Sequence, residues 1–390
     1  MHEPDRGGGG AGSGQGVSER RGGVKVLLLT THLEIGGIPV YVVSLARGLK
    51  QRGFFPIVVS AGGRLEERLT REGIPHYRLL FRTSSELNPV LWFRAFPALL
   101  RLVRRERPVL LHAHTRIAQV LGWALHIVTR LPFMTTCHGL YKFRIGRRFF
   151  RCWGSRVIAI SDATLERLVL QYRLAPPHQV VLVPNGVETD WFGTPAPVEA
   201  VERYREALGL AGGPVIGSIS RLSPVKGLDL LLKAAAALLP DFPDLKVLLV
   251  GEGSAREGLV KLAYTLGMAD RVVIGRPVED TRVPMAAMDL FVSAALQEGF
   301  GLSIVEAMAA GLPVVVTDAG GPAEIVEWGR CGLLVSPGDP VALAEGIRKL
   351  LGDDARRGEF ARAGRVRAAK LYDFNRVTDQ VIKVYEEVVA

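Results

Sequence analysis

Two carboxylates eight positions apart are the most informative chemical feature of this 390-residue chain. Glu298 lies in a glycine-rich loop, and Glu306 lies on the segment after it, whose pattern predicts a helix. Apolar runs at 290–295 and 313–317 predict buried strands on either side. A loop that joins a strand to a helix lies at the carboxyl edge of a parallel sheet, where ligands bind. Carboxylates at that edge predict a site for a ligand that is rich in hydroxyl groups.

The two carboxylates differ in what else could explain them. Ser303 and Glu306 have the spacing of a capping box, in which each side chain bonds the backbone at the start of a helix. For Glu306, this structural role and a binding role are both open. Glu298 is flanked by Gly299 and Gly301 and lies on no predicted helix face. Hydrogen bonding to the hydroxyl groups of a sugar is therefore the simplest role for Glu298.

A pair of cations follows an earlier strand. Arg221 lies in the loop after the predicted strand 215–220, and Lys226 lies where the next helix is predicted to begin. A helix N-terminus offers free N–H groups and positive potential, so a cation there is unfavourable unless an anion binds. The pair therefore predicts a site for a diphosphate. Two ordinary surface cations are the alternative.

Glycines and histidines follow strands of the first half. Gly36 and Gly37 come after the first predicted strand, where glycine lets a ligand approach the backbone closely. They lack the three-glycine spacing of a dinucleotide fingerprint, so a nicotinamide cofactor is not predicted. His138 also follows a strand, where it could face a cleft or serve as a structural hydrogen-bonding residue. Nothing completes a metal site around His112 and His114, and we interpret both as structural.

Short β-branched runs alternate with helical segments in both halves, which predicts an α/β protein with two parallel, doubly wound sheets. The predicted strands are 24–30, 56–60, 109–113, 134–137, 157–161 and 180–183 in the first half, and 215–220, 246–251, 272–274, 290–295 and 313–317 in the second. Asp162 is predicted to cap a helix at 163–170. Proline, glycine and acidic residues between 184 and 214 place the domain boundary there. A final amphipathic helix at 373–390 could pack on either domain.

Composition limits the class of protein and divides the chain electrostatically. No apolar run reaches the ~20 residues of a transmembrane helix. Residues 1–23 are glycine-rich and are interpreted as a disordered tail rather than a secretory signal. Three scattered cysteines fit a reducing, cytoplasmic location. Positions 24–190 hold 24 Lys/Arg and 10 Asp/Glu, whereas positions 191–390 hold 22 Lys/Arg and 26 Asp/Glu. The excess of basic residues, which predicts an acidic partner, is therefore confined to the first half.

Two segments of the first half combine arginines with aromatic residues, Phe93–Arg107 and Tyr141–Arg156. Basic amphipathic segments of this kind suit the interface of an anionic membrane. Interleaved aromatic and basic residues would also suit single-stranded nucleic acid. A helix that packs through its aromatic side chains and solvates its arginines would show the same pattern.

The strings around these residues resemble the retaining nucleotide-sugar glycosyltransferases of family 4, also called group 1, which have the GT-B fold. The string EGFGLSIVEAMAAGLPVV at 298–315 is highly specific, and Glu298 and Glu306 match the paired glutamates of the family. Further matches are the Arg–Lys pair, the glycine-rich loop of the first domain and the inter-domain segment: Arg221, Lys226, Gly36, Gly37 and Val183–Val187.

The resemblance implies a role for each matched residue. Arg221 and Lys226 would hold the donor diphosphate and stabilise the charge that develops on it. Glu298 would bind the donor sugar, Glu306 the nucleotide ribose, and His138 would line the sugar pocket. The other donor-binding positions implied by the resemblance are Gly36, Gly37, Gly275, Arg276, Pro277, Phe300, Gly301 and Leu302.

The resemblance also implies the architecture. It places a Rossmann-like acceptor domain at 24–190 and a Rossmann-like nucleotide-sugar domain at 191–372, with the donor cleft between them. The helix at 373–390 would cross back to the first domain. The implied reaction is retaining hexosyl transfer from a nucleotide sugar to a lipid-linked or envelope polysaccharide acceptor.

Several expectations accompany this reaction. The sequence has no Asp-x-Asp metal motif, so we expect neither a metal nor a cofactor, with a UDP-sugar as the favoured co-substrate. We expect a cytoplasmic protein that is peripheral on the inner face of the membrane, a glycan or glycolipid acceptor, and no nucleic-acid partner. Two alternatives stay open, which are an isomerase like the nucleotide-sugar 2-epimerases and a non-catalytic protein that binds a nucleotide sugar or glycan.

Overall fold

The apolar runs of the first half form a seven-stranded parallel sheet. A computed structural model describes residues 23–79, 88, 90–140, 150–278 and 280–390. The strands are β1 (Lys25–Leu29), β2 (Phe55–Ser60), β3 (His76–Arg78), β4 (Leu110–Ala113), β5 (Phe133–Cys137), β6 (Arg156–Ala159) and β7 (Val180–Leu182). They follow the order β3-β2-β1-β4-β5-β6-β7, in which the chain first grows to one side of β1 and then to the other.

The second half forms a six-stranded parallel sheet of the same type. Its strands are β8 (Val215–Ile219), β9 (Lys246–Val250), β10 (Val272–Gly275), β11 (Leu290–Ser293), β12 (Val314–Thr317) and β13 (Leu333–Val335). They follow the order β10-β9-β8-β11-β12-β13. Both sheets therefore have the doubly wound topology of a Rossmann-like domain, as the sequence predicted.

All eleven predicted strands are present, with ends within two residues of those predicted. Two strands were missed, β3 and β13, which lie at the edge of their sheets. Each has only three residues, and none of these is fully buried. Such a short strand with half-exposed side chains carries too little hydrophobic pattern to be recognised.

Helices cover both faces of the first sheet because the side chains of each strand alternate between them. Val26 and Leu28 pack under the helix at 37–51, whereas Leu27 and Leu29 pack under the helices at 96–106 and 116–129. A π-helical turn at Leu91–Ala95 precedes α3. The helices of this half are α1 (Gly37–Gln51), α2 (Glu66–Arg71), α3 (Phe96–Glu106), α4 (Arg116–Thr129) and α5 (Asp162–Glu166).

The helices of the second half lie on both faces of its sheet, except the last, which leaves this domain. Phe374, Val377 and Val381 of that helix are buried in the core of the first domain, beside α1, so the predicted crossing back is confirmed. The helices are α6 (Thr189–Gly193), α7 (Val198–Ala207), α8 (Leu228–Leu238), α9 (Arg256–Thr265), α10 (Arg282–Ala286), α11 (Leu302–Ala309), α12 (Gly321–Ile325), α13 (Pro340–Leu351), α14 (Asp354–Leu371) and α15 (Phe374–Val389).

The two connections between the domains run side by side. The N–H of Val187 donates to the carbonyl of Tyr372 at 2.8 Å, and the N–H of Phe374 donates to the carbonyl of Val187 at 2.9 Å. A Cβ on Gly186 would lie 2.8 Å from the side chain of Val377, so glycine lets the two connections approach each other. The chain passes between the domains at these paired connections, which we call the hinge.

The start of α5 corrects one prediction. Ser161, and not Asp162, is the N-cap, and its hydroxyl accepts a hydrogen bond from the N–H of Thr164 at 3.0 Å. The α-helix ends at Glu166 and continues as a π-helical turn at Arg167–Gln171, rather than running evenly through 163–170. Adjacent Ser and Asp are both good N-caps, so the sequence alone did not separate them.

The two basic aromatic segments differ in how much of them is described. Phe93–Arg107 forms the end of the π-helical turn, α3 and its left-handed C-cap. Residues 141–149 lie outside the described residues, as does the tail 1–22, so most of Tyr141–Arg156 is not placed. In the described ranges, no helix combines the length and the apolar character needed to cross a bilayer.

Candidate active site between the two sheets

The strand order predicts where a ligand should bind in the second domain. The chain passes from β8 to β9 on one side and returns to β11 on the other, so the loops after β8 and β11 part above the sheet. This divergence of loops at the carboxyl edge is the usual ligand site of a doubly wound sheet. It brings together the loop of Arg221 and Lys226 and the loop of Glu298.

Lys226 and Glu298 meet at this point as an ion pair between the ammonium and a carboxylate oxygen. Their side chains are only 21% and 18% exposed, so each charge is largely removed from water. Lys226 ends a 3-10 turn, Pro224–Lys226, and α8 begins two residues later at Leu228. The two residues that sequence reasoning assigned to diphosphate and sugar are therefore direct neighbours.

Glycines fix the two loops in place. Gly227, with φ 60°, brings its backbone so close to β11 that a Cβ would lie 2.0 Å from the carbonyl oxygen of Ala294. Gly301, with φ 110°, turns the chain from the loop of Glu298 into α11, and a Cβ there would strike Ile304 at 2.7 Å. Both positions use a backbone conformation that other residues rarely adopt.

The capping box of Ser303 and Glu306, one of the two roles that the sequence left open, is not formed. Gly301 is the N-cap of α11, and Ser303 is the second residue of the helix, so Glu306 is too far along to reach the cap. Among the described residues, nothing hydrogen-bonds the Glu306 carboxyl, and its burial raises its pKa to about 7. Glu306 therefore has no structural role at the helix start and, in the part of the chain that the structure describes, no hydrogen-bond partner for its carboxyl.

The remaining predicted residues of this domain lie around the same edge. The Arg221 side chain is exposed at the end of β8 and has no ion pair within the described part of the chain. Gly275 ends β10, an edge strand two places away from β8, and Arg276 and Pro277 follow it. The Phe300 side chain is buried against Tyr372, so only its backbone can face the cleft.

The first domain faces these loops with its own reversal of strand order, between β1 and β4. Gly37 begins α1, and a Cβ there would lie 3.2 Å from the Leu302 side chain across the cleft. Gly36 precedes it in an extended conformation as the N-cap of α1. The glycine pair thus allows the close approach that the sequence predicted, although the residue it approaches here is Leu302.

His138 belongs to a cluster of buried rings. Its Nε2 lies 3.1 Å from Nδ1 of His114, and its ring packs edge-on against Tyr41 at 4.8 Å. His112 lies behind His114 and is hydrogen-bonded to Tyr385 at 2.8 Å. Desolvation lowers the pKa of His112 and of His138 to about 3, so both rings are neutral at pH 7. The contacts of His112 and His114 fit the structural role that the sequence predicted for them.

Two residues that sequence reasoning missed connect the domains at the cleft. The Ser161 hydroxyl donates to the carbonyl of Gly299 at 2.6 Å. The carboxylate of Glu324 accepts from the N–H groups of Asp162 and Ala163, both at 2.9 Å. Ser161 had the signal of an ordinary N-cap and Glu324 that of an ordinary helical glutamate, so neither could be found without the fold.

Comparison with known proteins agrees with this geometry. Residues 200–367 match the family described as glycosyl transferases group 1, and residues 35–191 match glycosyltransferase family 4. A D-inositol 3-phosphate glycosyltransferase of Corynebacterium jeikeium is 30% identical over 91% of this chain and 92% of its own length. The chain belongs to the family 4 glycosyltransferases. Another family member, the D-inositol 3-phosphate glycosyltransferase of Geodermatophilus obscurus, is 31% identical over 90% and 85% of the two chains.

Solved structures show the same fold as this family 4 glycosyltransferase. Anabaena Alr3699/HepE in complex with UDP-glucose superposes with a TM-score of 0.82 at 25% identity, over 93% of this chain and 99% of that one. A glycosyltransferase from Rickettsia africae gives 0.82 at 23% identity, over 94% and 98%. The two Rossmann-like domains thus form a GT-B glycosyltransferase, and neither the isomerase nor the non-catalytic alternative is favoured.

Proposed function

We propose that this family 4 glycosyltransferase moves a sugar from a nucleotide donor to an acceptor with retention of configuration and without a metal. The observation that carries the proposal is the Lys226–Glu298 pair where the loops after β8 and β11 diverge. A nucleotide sugar carries a diphosphate next to a polyol. Such a ligand can separate the pair, with the ammonium taking the diphosphate and the carboxylate taking the sugar hydroxyls.

The chemistry follows from the charges. Breaking the anomeric bond develops positive charge on the sugar ring and negative charge on the departing diphosphate. Lys226 and Arg221 supply cations for the leaving group, which is electrostatic stabilisation by preorganised groups. The acceptor would be delivered on the face from which the diphosphate leaves, and a phosphate oxygen would help to take its proton. Glu298 orients the sugar in this scheme and is not assigned as a nucleophile.

Glu306 fits the ribose of the donor. Its carboxyl has no hydrogen bond within the described residues, and ribose offers two adjacent hydroxyl donors. We favour a uridine diphosphate donor, and the Anabaena relative, which was solved with UDP-glucose, supports that choice. The base would lie toward Gly275, Arg276 and Pro277, at the end of β10.

For the acceptor, we propose a lipid-linked or envelope glycan at an anionic membrane surface. The layer formed by the π-helical turn 91–95, α3 and α4, which lies over one face of the first sheet, supports this choice. It exposes Phe93, Ile127 and Val128 by 81%, 59% and 56%. The same layer, with the residues that end its helices, also exposes several arginines: Arg94, Arg101, Arg104, Arg105, Arg107 and Arg130. Apolar side chains among cations suit an anionic lipid interface.

A flotation assay tests the membrane proposal. Arg101→Glu combined with Arg104→Glu should reduce binding to anionic vesicles by about tenfold or more, because each cation contributes ~1 kcal/mol near the surface. Raising the salt concentration should have the same effect on the unaltered protein. Arg362→Glu, an exposed change on α14 of the second domain, serves as the control. Binding that ignores both lipid charge and the paired substitution would contradict the membrane proposal and leave the transfer reaction standing.

A second acceptor is supported by the relatives. Several proteins that match over most of this chain are named D-inositol 3-phosphate glycosyltransferases. A small anionic polyol is a different acceptor class from a membrane glycan, and it needs no lipid surface. Transfer to soluble D-inositol 3-phosphate, observed without vesicles, would favour this class over the membrane acceptor.

A direct transfer assay tests the reaction itself. The protein is incubated with UDP-, GDP- and ADP-sugars and each acceptor, with and without a chelator, and the products are analysed by mass spectrometry and anomeric coupling. We expect an α-linked product from an α-linked donor, unaffected by the chelator. An inverted product or a requirement for metal would overturn those parts of the proposal. Interconversion of the donor sugar without an acceptor would point to an isomerase.

A further inference from the structure

Two hydrogen-bonded contacts join the domains on the donor side of the cleft. The first runs from Ser161 at the end of β6 to the carbonyl of Gly299, the residue that follows Glu298. The second runs from Glu324 to the first turn of α5, where it accepts two backbone N–H groups. One contact therefore comes from the first domain and the other from the second, and both involve the same turn at the start of α5.

The Ser161 hydroxyl bonds both its own helix and the donor loop. As N-cap it accepts from the N–H of Thr164, and this uses a lone pair. It also lies 2.9 Å from Oγ1 of Thr164. Because a carbonyl can only accept and the Thr164 hydroxyl can donate, the single proton of Ser161 goes to the carbonyl of Gly299, at 2.6 Å, and the residue is 1% exposed. Capping would be complete without that proton, so the bond to Gly299 is an additional contact to the donor loop.

Glu324 reaches the same loop from the other direction. It lies on α12, whose first residue, Gly321, donates its N–H to the carbonyl of Glu298 at 3.1 Å. The N–H of Glu298 in turn donates to Ala319 at 2.9 Å. The backbone of the donor loop is thus bonded to the start of α12, and Glu324 attaches α12 to the first domain.

Close packing shows how little freedom the loop has in this arrangement. A Cβ on Gly299 would lie 2.9 Å from Cα of Gly139, in the loop that carries His138. A Cβ on Gly320 would lie 3.4 Å from Cβ of Ala163 in α5. Opening about the hinge, where the two connections cross, would have to break both hydrogen-bonded contacts and this packing together.

We propose that Ser161 and Glu324 are positioning residues that hold the donor loop in its working geometry only when the domains are closed. The inference rests on the proposed glycosyl transfer, in which the carboxylate of Glu298 must be aligned with the donor sugar. Closure then completes the site rather than only covering it, because the second domain alone lacks the hydrogen-bond donor for the carbonyl of Gly299.

Kinetics of matched variants test the proposal. Ser161→Asp keeps a capping oxygen but has no proton to donate to Gly299. Ser161→Thr keeps the capping oxygen and the hydroxyl proton. Glu324→Gln removes the negative charge that accepts the two N–H groups of α5. Ser161→Asp and Glu324→Gln should lower kcat by about tenfold or more, since misplacement by an ångström can cost about a hundredfold. The dissociation constant of UDP should change by less than about threefold, because these residues do not touch the donor. Ser161→Thr should retain most of the kcat of the unaltered protein.

Controls separate positioning from a loss of structure. Glu166→Gln removes an exposed charge from the same helix and should leave kcat and the melting temperature unchanged. Unchanged kcat in folded Ser161→Asp and Glu324→Gln would overturn the proposal. A parallel loss of kcat and melting temperature that Ser161→Thr does not rescue would equally overturn it, because this pattern indicates a structural role.

A second measurement does not depend on activity. Small-angle X-ray scattering of Glu324→Ala without ligand should show a larger radius of gyration than the unaltered protein, since the contact that favours closure is lost. Identical scattering would overturn the proposed coupling. If the unaltered protein transferred no sugar from any donor, the proposed function would fail, and the scattering comparison would still decide whether these residues hold the domains closed.

Discussion

The two sides of the cleft share one topology and carry different chemistry. Each sheet reverses its strand order there, at β1/β4 in the first domain and at β8/β11 in the second. The second domain presents charged groups at this edge, with the Lys226–Glu298 pair at its centre. The first domain presents glycines and the half-buried, neutral ring of His138. The fold specifies where ligands bind, and the loop residues determine which ligands they are.

The difference also changes the meaning of the basic first half. Its excess of Lys and Arg predicted an acidic partner for this half of the chain. The rings of His112 and His138 are uncharged at pH 7, and exposed arginines lie instead on the outer surface of α3: Arg101, Arg104 and Arg105. The charge of the first half therefore fits a surface contact better than it fits the reacting groups beside His138.

The charged side should be the more sensitive to a single substitution. Lys226→Ala removes the cation proposed for the diphosphate and leaves Glu298 as an uncompensated carboxylate beside an anionic donor. We expect kcat/KM to fall by about a thousandfold, in the range of losses seen for preorganised electrostatic groups. Steady-state kinetics measure this, with Lys233→Ala, an exposed lysine on α8, as the control. A loss smaller than about tenfold would remove Lys226 from the leaving-group role.

The buried, neutral histidine His112 of the first domain should make the free energy of unfolding depend on pH in the acidic range. Burial lowers the folded-state pKa of His112 from 6.5 to about 3, so the unfolded chain binds more protons between these values. The contribution to stability is therefore complete above pH 6.5 and is lost as the pH falls toward 3. Each such histidine adds a slope of up to ~1.4 kcal/mol per pH unit to the free energy of unfolding.

Urea unfolding between pH 7 and pH 4 measures that slope. His112→Asn should make the pH dependence less steep than in the unaltered protein, whatever its effect at pH 7. The matched control is His178→Asn, at an exposed position before β7, which should leave the slope unchanged. Equal slopes in His112→Asn and His178→Asn would show that the buried ring is not held neutral.

A smaller effect is expected for Glu306, which should make the affinity for UDP depend on pH. The pKa of Glu306 is raised from 4.5 to about 7, so its carboxyl is mostly protonated at pH 6 and mostly ionised at pH 8. Ribose hydroxyls donate more strongly to a carboxylate than to a neutral acid. The affinity for UDP should therefore rise across this range by about three- to tenfold more than in Glu306→Gln.

Calorimetric titration of UDP at both pH values provides the comparison. The variant corrects for the titration of the nucleotide phosphate itself, which is common to both proteins. The free energy of unfolding should change in the opposite direction to the affinity for UDP. Raising the pH from 4.5 to 7 ionises the desolvated carboxyl of Glu306, which lowers the free energy of unfolding. Identical pH dependence of UDP binding in both proteins would exclude Glu306 from the ribose contact.

The sequence predicted the second domain better than the first. Glu298, Lys226 and Gly301 sit in short loops between well-patterned strands, so their grouping followed from topology. The capping box failed because Gly301 can adopt the positive φ that starts α11 two residues before Ser303. Local patterns describe single elements well and cannot decide which of two neighbouring residues begins a helix.

Contacts between the domains were out of reach from the sequence. Ser161 and Gly299 are 138 positions apart and meet only because both loops lie at the carboxyl edge of their sheets. Glu324 looks like any helical glutamate until its partners on α5 are known. Such contacts depend on the relative placement of two domains, which hydrophobic periodicity does not encode.

One substitution tests the central claim that the donor separates Lys226 from Glu298. Glu298→Gln removes the charge that neutralises Lys226 and keeps the shape of the side chain. Transfer by this variant should fall by about a hundredfold or more relative to the unaltered protein, because the sugar loses its orienting carboxylate. Calorimetry of the same variant should show UDP bound at least as tightly as by the unaltered protein, since the ammonium is freed for the diphosphate. Near-normal transfer, or UDP binding weakened along with transfer, would contradict it.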